Sequence, residues 1–567
     1  MSNPWMNVYP RPQLRRDSFF SLNGPWRLNG QTVEVPFPPQ APASGYRGPV
    51  GAGLVYERTI VLPDGFTRPG ERVILHLGAV DQTAFVFVNG RPAVRHEGGY
   101  LPFSADITLL LRPGENTLRV EAEDTLDHLY PYGKQCEKPH GMWYTAVSGI
   151  WRSVWLESVP EKYIHNIICW TDTESVTLTV SGPGQDAHVQ ITLDGQPVTR
   201  AVCPPGQPVR IPIPAPRPWS PEHPVLYDAL IRCGQDRVSV YFGLRSVAVS
   251  ADARGVERVC LNGSPVFLSG VLDQSYFPDG LFLPGGGPAG YEEDIRRMRA
   301  MGFNTLRLHI KVEDESFYEA CDRLGMLVIQ DMVQSGAYSY FFGTVLPNLG
   351  CRYRPDRLPG SRKRRAFFEQ HCLDIQDHLR NHPCVVVYTI FNEGWGQFDT
   401  TRLYRTLKKH DPDRLYISAS GWFKGYETDL DSEHVYFRLR TLKGRKRPLI
   451  LSECGGYARP VRGHLAVPDG TYGYGEAGTE QALTDRILLL MEKMVLPAVA
   501  RGLCGFVYTQ LSDVEAEING LYTYDRAVCK VSAGQIRGAV ERLSEELERS
   551  SRAADRDPSS GVRDGGK

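Results

Sequence analysis

Two glutamates each follow a run of apolar residues that is typical of a strand buried on both faces. Glu393 comes shortly after residues 385–391, and Glu453 comes shortly after residues 449–451. Two carboxyl groups a few ångströms apart resist being ionised together, so such a pair favours one protonated and one ionised member. The protonated carboxyl could release a leaving oxygen while the ionised one attacks or stabilises an oxocarbenium-like centre. The pair therefore indicates cleavage of a glycosidic bond.

The second half of the chain alternates between strand and helix patterns, which would bring these glutamates to a common edge. The eight predicted strands are residues 266–271, 305–310, 327–330, 385–391, 415–419, 435–437, 449–451 and 505–508. Eight such units in about 290 residues predict a (β/α)8 barrel, in which the chemistry lies where the strands end. Glu393 and Glu453 follow strands four and seven, which lie nearly opposite each other. Their carboxylates could then converge over the barrel axis.

The first half of the chain has short β-rich runs separated by turns, and almost no helical periodicity. It predicts two β-sandwich domains, over residues 1–160 and 161–250. The barrel is predicted over residues 251–547 and a disordered tail over residues 548–567. Tight hairpin turns are predicted at Asn89-Gly90, Asp194-Gly195 and Asn262-Gly263.

Composition and charge argue against several classes of partner. The chain has 64 basic and 65 acidic side chains, a net charge of −1, so nothing favours nucleic acid or an anionic membrane. No apolar window of about 18 residues predicts a transmembrane helix, and the first residues lack a secretory pattern. Twelve cysteines without CxxC spacing favour a reducing cytoplasm over a disulfide framework or a zinc site. We expect no cofactor and no metal, and a homo-oligomer stays open.

Several motifs make the chain resemble the family-2 glycoside hydrolases, which include β-galactosidases, β-glucuronidases and β-mannosidases. Phe391-Asn392-Glu393-Gly394-Trp395-Gly396 is similar to the acid/base motif of that family, and Ser452-Glu453 to its nucleophile strand. Gly149-Ile150-Trp151-Arg152 resembles the end of its N-terminal sugar-binding jelly roll. Phe242-Gly243-Leu244-Arg245 resembles its immunoglobulin-like middle domain. The resemblance covers the whole ordered chain and implies a jelly-roll β-sandwich, an immunoglobulin-like β-sandwich and a C-terminal TIM barrel.

The resemblance also implies roles for residues at the strand ends. Glu393 would be the acid/base and Glu453 the nucleophile. Asn392 would hydrogen-bond the sugar 2-hydroxyl, Tyr436 would donate to the nucleophile, and Arg307 would keep the nucleophile ionised. A cation beside a buried carboxylate lowers its pKa, which supports the role of Arg307 independently.

Other polar and aromatic residues are expected to line the sugar pocket, in an arrangement that departs from well-known family members. These residues are Asp273, Gln274, His309, Trp395, Trp422 and Gln510. The Asn-x-Lys motif with which β-glucuronidases read a carboxylate is not apparent, because Asn519-Gly520 is followed by Leu521. This counts against glucuronides. Lys134 of the jelly roll could reach the barrel mouth. Three acidic residues after strand eight could contact substrate or be solvated, and solvation is the favoured expectation; they are Asp513, Glu515 and Glu517.

The leading hypothesis is a retaining exo-β-glycosidase that acts by double displacement on an oligosaccharide or small glycoside. A β-galactoside is the first expectation for the sugar, from family frequency alone. The alternatives are a galactofuranoside, arabinoside, glucuronide or mannoside as the sugar, and a transglycosylase that transfers to an acceptor other than water. A catalytically silent carbohydrate-binding protein is the alternative from another class.

Overall fold

The computed structural model of this chain describes residues 3–182, 184–339, 341–346, 356, 360–423, 426–468, 470 and 472–552. Over these residues the chain forms two antiparallel β-sandwiches followed by an eight-stranded parallel barrel. Residues 553–567 of the predicted tail lie outside the described residues, and the helix Ala533–Ser551 covers the start of that stretch. None of the described helices is both long enough and apolar enough to cross a bilayer.

The N-terminal jelly-roll sandwich has one sheet of six strands and one of four. Its strands, including four two-residue strands outside these sheets, are β1 (Phe19–Ser21), β2 (Gly24–Leu28), β3 (Gln31–Val35), β4 (Gly53–Val61), β5 (Glu71–Leu77), β6 (Val80–Asp81), β7 (Thr83–Val88), β8 (Arg91–Glu97), β9 (Phe103–Asp106), β10 (Glu115–Glu123), β11 (Gln135–Cys136), β12 (Tyr144–Thr145), β13 (Gly149–Ile150) and β14 (Val154–Pro160). The sheets have the orders β3-β2-β4-β10-β7-β8 and β1-β14-β5-β9. Alternate side chains of β10, such as Leu118 and Val120, are buried between them. Asn89 and Gly90 have φ of +53° and +76°, which confirms the predicted hairpin between β7 and β8.

The middle sandwich is immunoglobulin-like, with three strands packed on four. Its strands are β15 (Asn166–Thr171), β16 (Ser175–Ser181), β17 (Ala187–Leu193), β18 (Gln196–Cys203), β19 (Pro208–Pro212), β20 (Tyr227–Cys233) and β21 (Asp236–Phe242). The sheets have the orders β15-β16-β19 and β18-β17-β20-β21. A small antiparallel sheet then leads into the barrel, formed by β22 (Val247–Ala251), β23 (Glu257–Leu261) and β24 (Ser264–Pro265). The predicted hairpin turns have positive φ at Asp194 and Asn262, which confirms them.

The barrel is a ring of eight parallel strands. They are β25 (Leu268–Asp273), β26 (Thr305–Leu308), β27 (Leu327–Asp331), β28 (Val385–Asn392), β29 (Leu415–Ser420), β30 (Asp431–Val435), β31 (Leu449–Gly455) and β32 (Leu503–Thr509). The sheet order is β29-β28-β27-β26-β25-β32-β31-β30. The amide of Leu430, just before β30, donates to the carbonyl oxygen of Tyr416 in β29 at 3.2 Å, so the two ends of the sheet meet. Every residue of β28 is buried, as expected for a central parallel strand.

The helices surround this ring unevenly. They are α1 (Ala289–Ala300), α2 (Glu315–Leu324), α3 (Arg362–Leu379), α4 (Thr400–His410), α5 (Glu480–Leu490), α6 (Leu496–Val499) and α7 (Ala533–Ser551), with π-helical turns at Phe341–Val345 and Met491–Val495 and 3₁₀ turns at Pro12–Leu14, Pro42–Ser44 and Thr108–Leu110. After β29 and β30, the described residues form turns and irregular loops instead of helices. The strand–helix alternation predicted from the sequence is therefore interrupted at these two units.

A segment of the N-terminal sandwich leaves its sheets and lies against the barrel. We call residues 124–148, between β10 and β13, the sandwich loop. The amides of Tyr132 and Gly133 donate to the carbonyl oxygen of Gln334 at 3.1 and 3.3 Å. Gln334 follows β27, so these hydrogen bonds attach the loop at the end of the barrel where the strands terminate.

Candidate active site

The two glutamates predicted from the sequence lie together at the open end of the barrel. Glu393 directly follows β28, and Glu453 lies near the end of β31. One carboxylate oxygen of each, together with a ring nitrogen of His434, lie within 4.8 Å of one another. The side chains of Glu393 and Glu453 are 12% and 6% exposed, so both reach solvent through a narrow opening. Retaining glycosidases separate their two carboxyl groups by about 5–5.5 Å and inverting ones by about 6.5–9.5 Å, and the approach of these two oxygens to within 4.8 Å favours the shorter spacing.

The backbone at Glu393 turns sharply to aim its side chain. Its φ is +51°, in a region that residues other than glycine rarely occupy, and Gly394 follows with φ of +74°. The Glu393 amide donates to the carbonyl oxygen of Ser420 at 3.2 Å. Such backbone outliers cluster at functional sites, where the surrounding structure holds them in place.

Arg307 is the centre of the charged network beneath the pocket. Its side chain is fully buried, and its Nη1 donates to Glu453 Oε1 at 2.9 Å. Its Nε donates to Asp331 Oδ1 at 3.0 Å, and its Nη2 donates to Asn392 Oδ1 at 3.0 Å. Asn392 Oδ1 also accepts from Ser420 Oγ at 2.6 Å, which leaves the Nδ2 group to face the pocket. One guanidinium therefore orients both the predicted nucleophile and the predicted 2-hydroxyl ligand.

The environment of Glu453 favours its ionised form. Burial alone would raise the pKa of this carboxyl, but the nearby His434 and Arg307 charges outweigh burial and lower the pKa to about 2. His309 and a hydrogen bond from Tyr436 lower it further in the same direction. The Tyr436 hydroxyl donates to Glu453 Oε2, while Arg307 occupies Oε1. The carboxylate is thus ionised across the physiological range, as a nucleophile requires.

His434 lies in the site, although the sequence patterns did not predict it. Its Nδ1 lies 2.8 Å from Glu393 Oε1, and its Nε2 lies 3.5 Å from Glu453 Oε1. Strand six is predicted at residues 435–437, whereas the structure has β30 at Asp431–Val435. The prediction was wrong because it followed apolar side chains, and Phe437 is 67% exposed while His434 is buried. The two-residue spacing from His434 to Tyr436, which puts both on one face of an extended chain, is the signal that could have found it.

The three atoms contributed by Glu393, His434 and Glu453 also have a spacing that a metal ion could bridge. The Arg307 guanidinium contacts the Glu453 oxygen of this group at 2.9 Å, so an added cation would meet a fixed positive charge. The donor set therefore fits a hydrogen-bonded acid–base group better than a metal centre.

His309 closes the floor of the pocket. Its Nδ1 lies 2.8 Å from Asp331 Oδ2. Burial and the charge of Lys134 lower the pKa of His309 to about 4, so the ring is neutral at pH 7. A neutral ring that donates from Nδ1 to Asp331 carries its acceptor on Nε2. His309 can therefore accept a hydrogen bond from a sugar hydroxyl.

The sandwich loop supplies one wall of the pocket. Lys134, Met142 and Trp143 line the same pocket as Glu393 and Glu453. About 450 Å³ of space free of protein atoms, including the part open to solvent, lies between these residues. The prediction that Lys134 reaches the barrel mouth is confirmed.

The predicted aromatic residue Trp395 belongs to this wall. Its indole Nε1 donates to the carbonyl oxygen of Gly336 at 2.6 Å, and its ring packs edge-on against Trp143 with centroids 5.2 Å apart. Tyr132 and Tyr338 pack against the same indole. The predicted Gln274 also lines the pocket.

Three residues that were expected to line the sugar pocket lie behind the residues that line it. The Asp273 carboxylate accepts from the Ser275 amide at 2.7 Å, and burial raises its pKa to about 7. Gln510 Nε2 donates to Asn519 Oδ1 at 2.8 Å. The Trp422 ring packs edge-on against the His434 ring, with centroids 5.4 Å apart.

Glu517 lies inside the site, contrary to the expectation that it is solvated. It is 3% exposed and lines the pocket. Its carboxylate accepts from the Tyr144 hydroxyl and, at 2.8 Å, from Asn519 Nδ2. Burial raises its pKa. The expectation was also wrong for Asp513, which is buried and pairs with Lys530 at 2.6 Å.

A parallel barrel with paired carboxylates on strands four and seven, preceded by two β-sandwiches, has the layout of a multidomain glycoside hydrolase. Comparison with known families agrees along the chain. Residues 20–160 match the sugar binding domain of the glycosyl hydrolases family 2, residues 164–245 match a further domain of that family, and residues 287–466 match its TIM barrel domain. The chain belongs to glycosyl hydrolase family 2.

Individual relatives carry two activities in their names. The chain is similar to a β-glucuronidase of Rattus norvegicus, with 28% identity over 468 residues, which cover 72% of this chain and 66% of that protein. It is similar to a β-galactosidase of Enterobacter cloacae, with 26% identity over 522 residues, which cover 81% of this chain and 48% of that protein. The chain thus spans slightly less than two thirds of the length of the β-glucuronidase and about half of the β-galactosidase.

Solved structures with the same fold cover nearly the whole chain. The β-D-glucuronidase of Dictyoglomus thermophilum superposes with a TM-score of 0.73 at 18% identity, over 95% of this chain and 98% of that one. A β-glucuronidase of Faecalibacterium prausnitzii gives 0.70 at 21% identity, over 95% and 99%. These likenesses establish the three-part fold.

Proposed function

We propose that this protein is a retaining exo-β-glycosidase that removes terminal β-glucuronides by double displacement. The observation that carries the proposal is the convergence of Glu393 and Glu453 within 4.8 Å, in different environments. Arg307 and Tyr436 each donate to Glu453, whereas the partner of Glu393 is His434. A carboxylate held ionised beside a second carboxyl is the pairing that retaining cleavage needs.

In the first half of the reaction, Glu453 attacks the anomeric carbon and its carboxylate becomes an ester of the sugar. Glu393 donates a proton to the leaving oxygen as the glycosidic bond breaks. In the second half, Glu393 takes a proton from water, the water oxygen attacks the anomeric carbon, and Glu453 leaves as the free carboxylate. The two inversions give the β-anomer as product.

The other site residues are assigned around these two. Asn392 Nδ2 would donate to the sugar 2-hydroxyl, and His309 and Gln274 would contact other hydroxyls. Trp395 would present an indole face to the C–H face of a sugar, a contact worth about 1 kcal/mol. The residues behind the lining would act indirectly, by fixing the strand ends and the His434 ring; they are Asp273, Gln510 and Trp422.

The choice of a glucuronide rests on the relatives rather than on family frequency, which favoured a β-galactoside. Relatives from the rat and from six other mammals are named β-glucuronidase. A β-galactoside is the second candidate, because the Enterobacter cloacae β-galactosidase aligns with 81% of this chain.

Azide rescue of two alanine variants tests the mechanism. Glu453→Ala should lose on the order of 10⁴-fold in kcat, because the nucleophile is removed. Azide can occupy the space left by the carboxylate, so rescue should give the α-glycosyl azide, with inverted configuration. Glu393→Ala should still react with an aryl glycoside whose leaving group needs no proton, and azide should then give the β-glycosyl azide.

A surface variant, Glu319→Ala on α2, controls for the loss of a carboxylate as such, and NMR of the products assigns the anomers. Full activity of Glu453→Ala, or the same azide anomer from both variants, would contradict the assignment. Transfer of the sugar to an added acceptor in preference to water would identify a transglycosylase. Binding without turnover of any aryl glycoside would identify a silent carbohydrate-binding protein.

A further inference from the structure

The sandwich loop places a cationic side chain inside the sugar pocket. Lys134 is half-buried and lines the pocket together with Asn392, Glu393 and Glu453. Among the residues that the structure describes, Lys134 has no hydrogen-bond or ion-pair partner for its ammonium group. Its contact is the Tyr144 ring, with Nζ 5.7 Å from the ring centroid. A lysine at a surface would be screened by water, but one inside a substrate pocket keeps its charge available to a ligand.

The backbone of Lys134 is fixed from both sides. Its carbonyl oxygen accepts from the Tyr144 amide at 3.0 Å, and the amide of the preceding residue, Gly133, donates to Gln334 in the barrel. Gly133 has φ of +67°, and a Cβ there would lie 2.8 Å from the carbonyl oxygen of Ile310. This close approach requires glycine, and it seats the loop on the strand ends. Only the methylene chain of Lys134 is then left to move.

Gln135, which follows Lys134, also holds this part of the sandwich loop in place. The side-chain amide of Gln135 donates to Asp81 Oδ2 at 2.9 Å and accepts from the Val147 amide at 2.7 Å. Both partners belong to the N-terminal sandwich. The position of the lysine is therefore built into the fold rather than set by a free loop.

The charge of Lys134 lies close enough to His309 and Glu517 to act on both. Burial lowers the pKa of His309, which follows β26, and Lys134 lowers it further. Burial raises the pKa of Glu517, which follows β32, and Lys134 opposes that rise. Glu393 follows β28, and strands four and eight face each other across an eight-stranded barrel. If the anomeric carbon of a sugar lies at the two glutamates, the opposite end of its ring would face the His309 and Glu517 side of the pocket, on which Lys134 acts.

Glu517 is the acidic group that could compete for this lysine. Its two oxygens already accept from Tyr144 and from Asn519. No ion pair within 4.0 Å joins Glu517 to Lys134 among the described residues. The ammonium group is therefore left for a group that enters with the substrate.

We propose that Lys134 binds the carboxylate of a terminal uronic acid, and that the sandwich loop thereby selects acidic sugars over their neutral counterparts. The inference rests on the proposed function and names the residue that would bind the carboxylate of the uronic acid. An ammonium group is a compact donor suited to a single carboxylate, and its alkyl stem packs along the aromatic wall. The barrel sequence after strand eight, Asn519-Gly520-Leu521, offers no lysine for this task.

Matched substrate pairs test the inference. The 4-nitrophenyl β-glucuronide and β-glucoside differ only at C6, and the β-galacturonide and β-galactoside form a second pair with the other C4 configuration. The wild type should prefer the acidic member of at least one pair. Lys134→Met should lower kcat/KM for that acidic substrate roughly 100-fold, mainly through KM, and change the neutral one less than about 3-fold. Lys134→Arg should retain part of the preference.

Lys138→Met is the matched control, because Lys138 is an exposed lysine of the same loop. It should leave both substrates unchanged. Thermal melting of each variant checks that the sandwich loop still docks. Calorimetric binding of free D-glucuronate and D-glucose to the full chain tests the same point without turnover. Glucuronate should bind more tightly to the wild type, and Lys134→Met should abolish the difference.

The outcomes separate the two proposals. A wild type that cleaves glycosides but has no acidic preference in either pair, or a Lys134→Met variant that keeps the preference, overturns the role of Lys134 and leaves the retaining glycosidase intact. Equal losses on acidic and neutral substrates would reduce Lys134 to a structural part of the pocket and overturn the inference. A wild type that cleaves no glycoside refutes the proposed function, and the binding comparison then decides the role of Lys134 by itself.

Discussion

Replacing Tyr436 with phenylalanine should raise the pKa of Glu453 and move the acidic limb of the activity profile upward. The Tyr436 hydroxyl donates to Glu453 Oε2, and this hydrogen bond stabilises the ionised carboxylate. Phenylalanine keeps the ring, which stacks on the Tyr474 ring with centroids 4.0 Å apart. The substitution therefore removes one donor and leaves the packing in place.

The size of the shift follows from that single interaction. A hydrogen bond to a charged group contributes about 1.5–3 kcal/mol, and one pKa unit corresponds to about 1.4 kcal/mol. The pKa of Glu453 should therefore rise by one to two units, from about 2 in the wild type to roughly 3–4 in the variant. The direction is upward because the lost donor stabilised the charged form, while the burial that opposes ionisation is unchanged.

The assay is the pH dependence of kcat/KM, which reports the ionisation of the free enzyme. The wild type should keep its activity down to the pH at which it unfolds, whereas Tyr436→Phe should lose activity between about pH 5 and pH 3. Intrinsic fluorescence at each pH separates unfolding from titration. Tyr474→Phe is the control, because the Tyr474 hydroxyl faces Tyr472 rather than Glu453. An acidic limb of Tyr436→Phe that coincides with that of the control would refute the reasoning.

Two further substitutions test the anchoring of the pocket and of the sandwiches. Gly133→Ala should raise KM with little change in the melting temperature, because a Cβ would meet the Ile310 carbonyl oxygen at 2.8 Å and the loop must shift away; unchanged steady-state kinetics would contradict this. Glu157→Gln should destabilise the protein by about 3–5 kcal/mol at pH 7 in denaturant unfolding, because Arg16 loses a buried partner at 3.0 Å. Burial opposes the ionised form of Glu157, but Arg11, His76 and Arg16 lower its pKa well below the ordinary value. The difference in the free energy of unfolding between Glu157→Gln and the wild type should therefore shrink as the pH falls below about 4.5.

The proposed catalytic pair could be predicted from the sequence because both glutamates follow the clearest strand patterns in the chain. The strands before Glu393 and Glu453 are apolar at nearly every position, and such strands occur where helices cover a sheet on both faces. A polar residue at the end of such a strand stands out. The fold followed from the same signal, since alternation of eight strands with helices fits one closed barrel.

Strand six could not be placed in this way. The inward side chains of β30 include Ser432 and His434, so the strand carries little apolar pattern, and the apolar residues 435–437 drew the prediction past its end. Because the strand was misplaced, His434 was not predicted as a residue of the site. Buried polar strands occur where side chains hydrogen-bond to one another, and that compensation is visible only in three dimensions.

Local sequence patterns could not predict the wall formed by the sandwich loop, for a different reason. Tyr144 and Glu517 are hydrogen-bonded across 373 positions of sequence. Glu517 follows a strand end and is surrounded by polar residues, which is typical of a solvated loop. It is buried because a different domain covers it, and a pattern within one segment cannot report that.

The proposed reaction and the proposed choice of sugar depend on two different parts of the chain. Every hydrogen bond of the Arg307 side chain goes to a residue of β27, β28, β29 or β31, so the barrel alone sets the position and charge of Glu453. Lys134 and Trp143 come from the sandwich loop, which contacts the barrel through backbone groups, through Glu517 and through the packing of Tyr132 and Trp143 on Trp395. A substitution in this loop can therefore change which sugar is accepted while the geometry of the two glutamates stays as it is, and a family built this way can vary its substrates without rebuilding its chemistry.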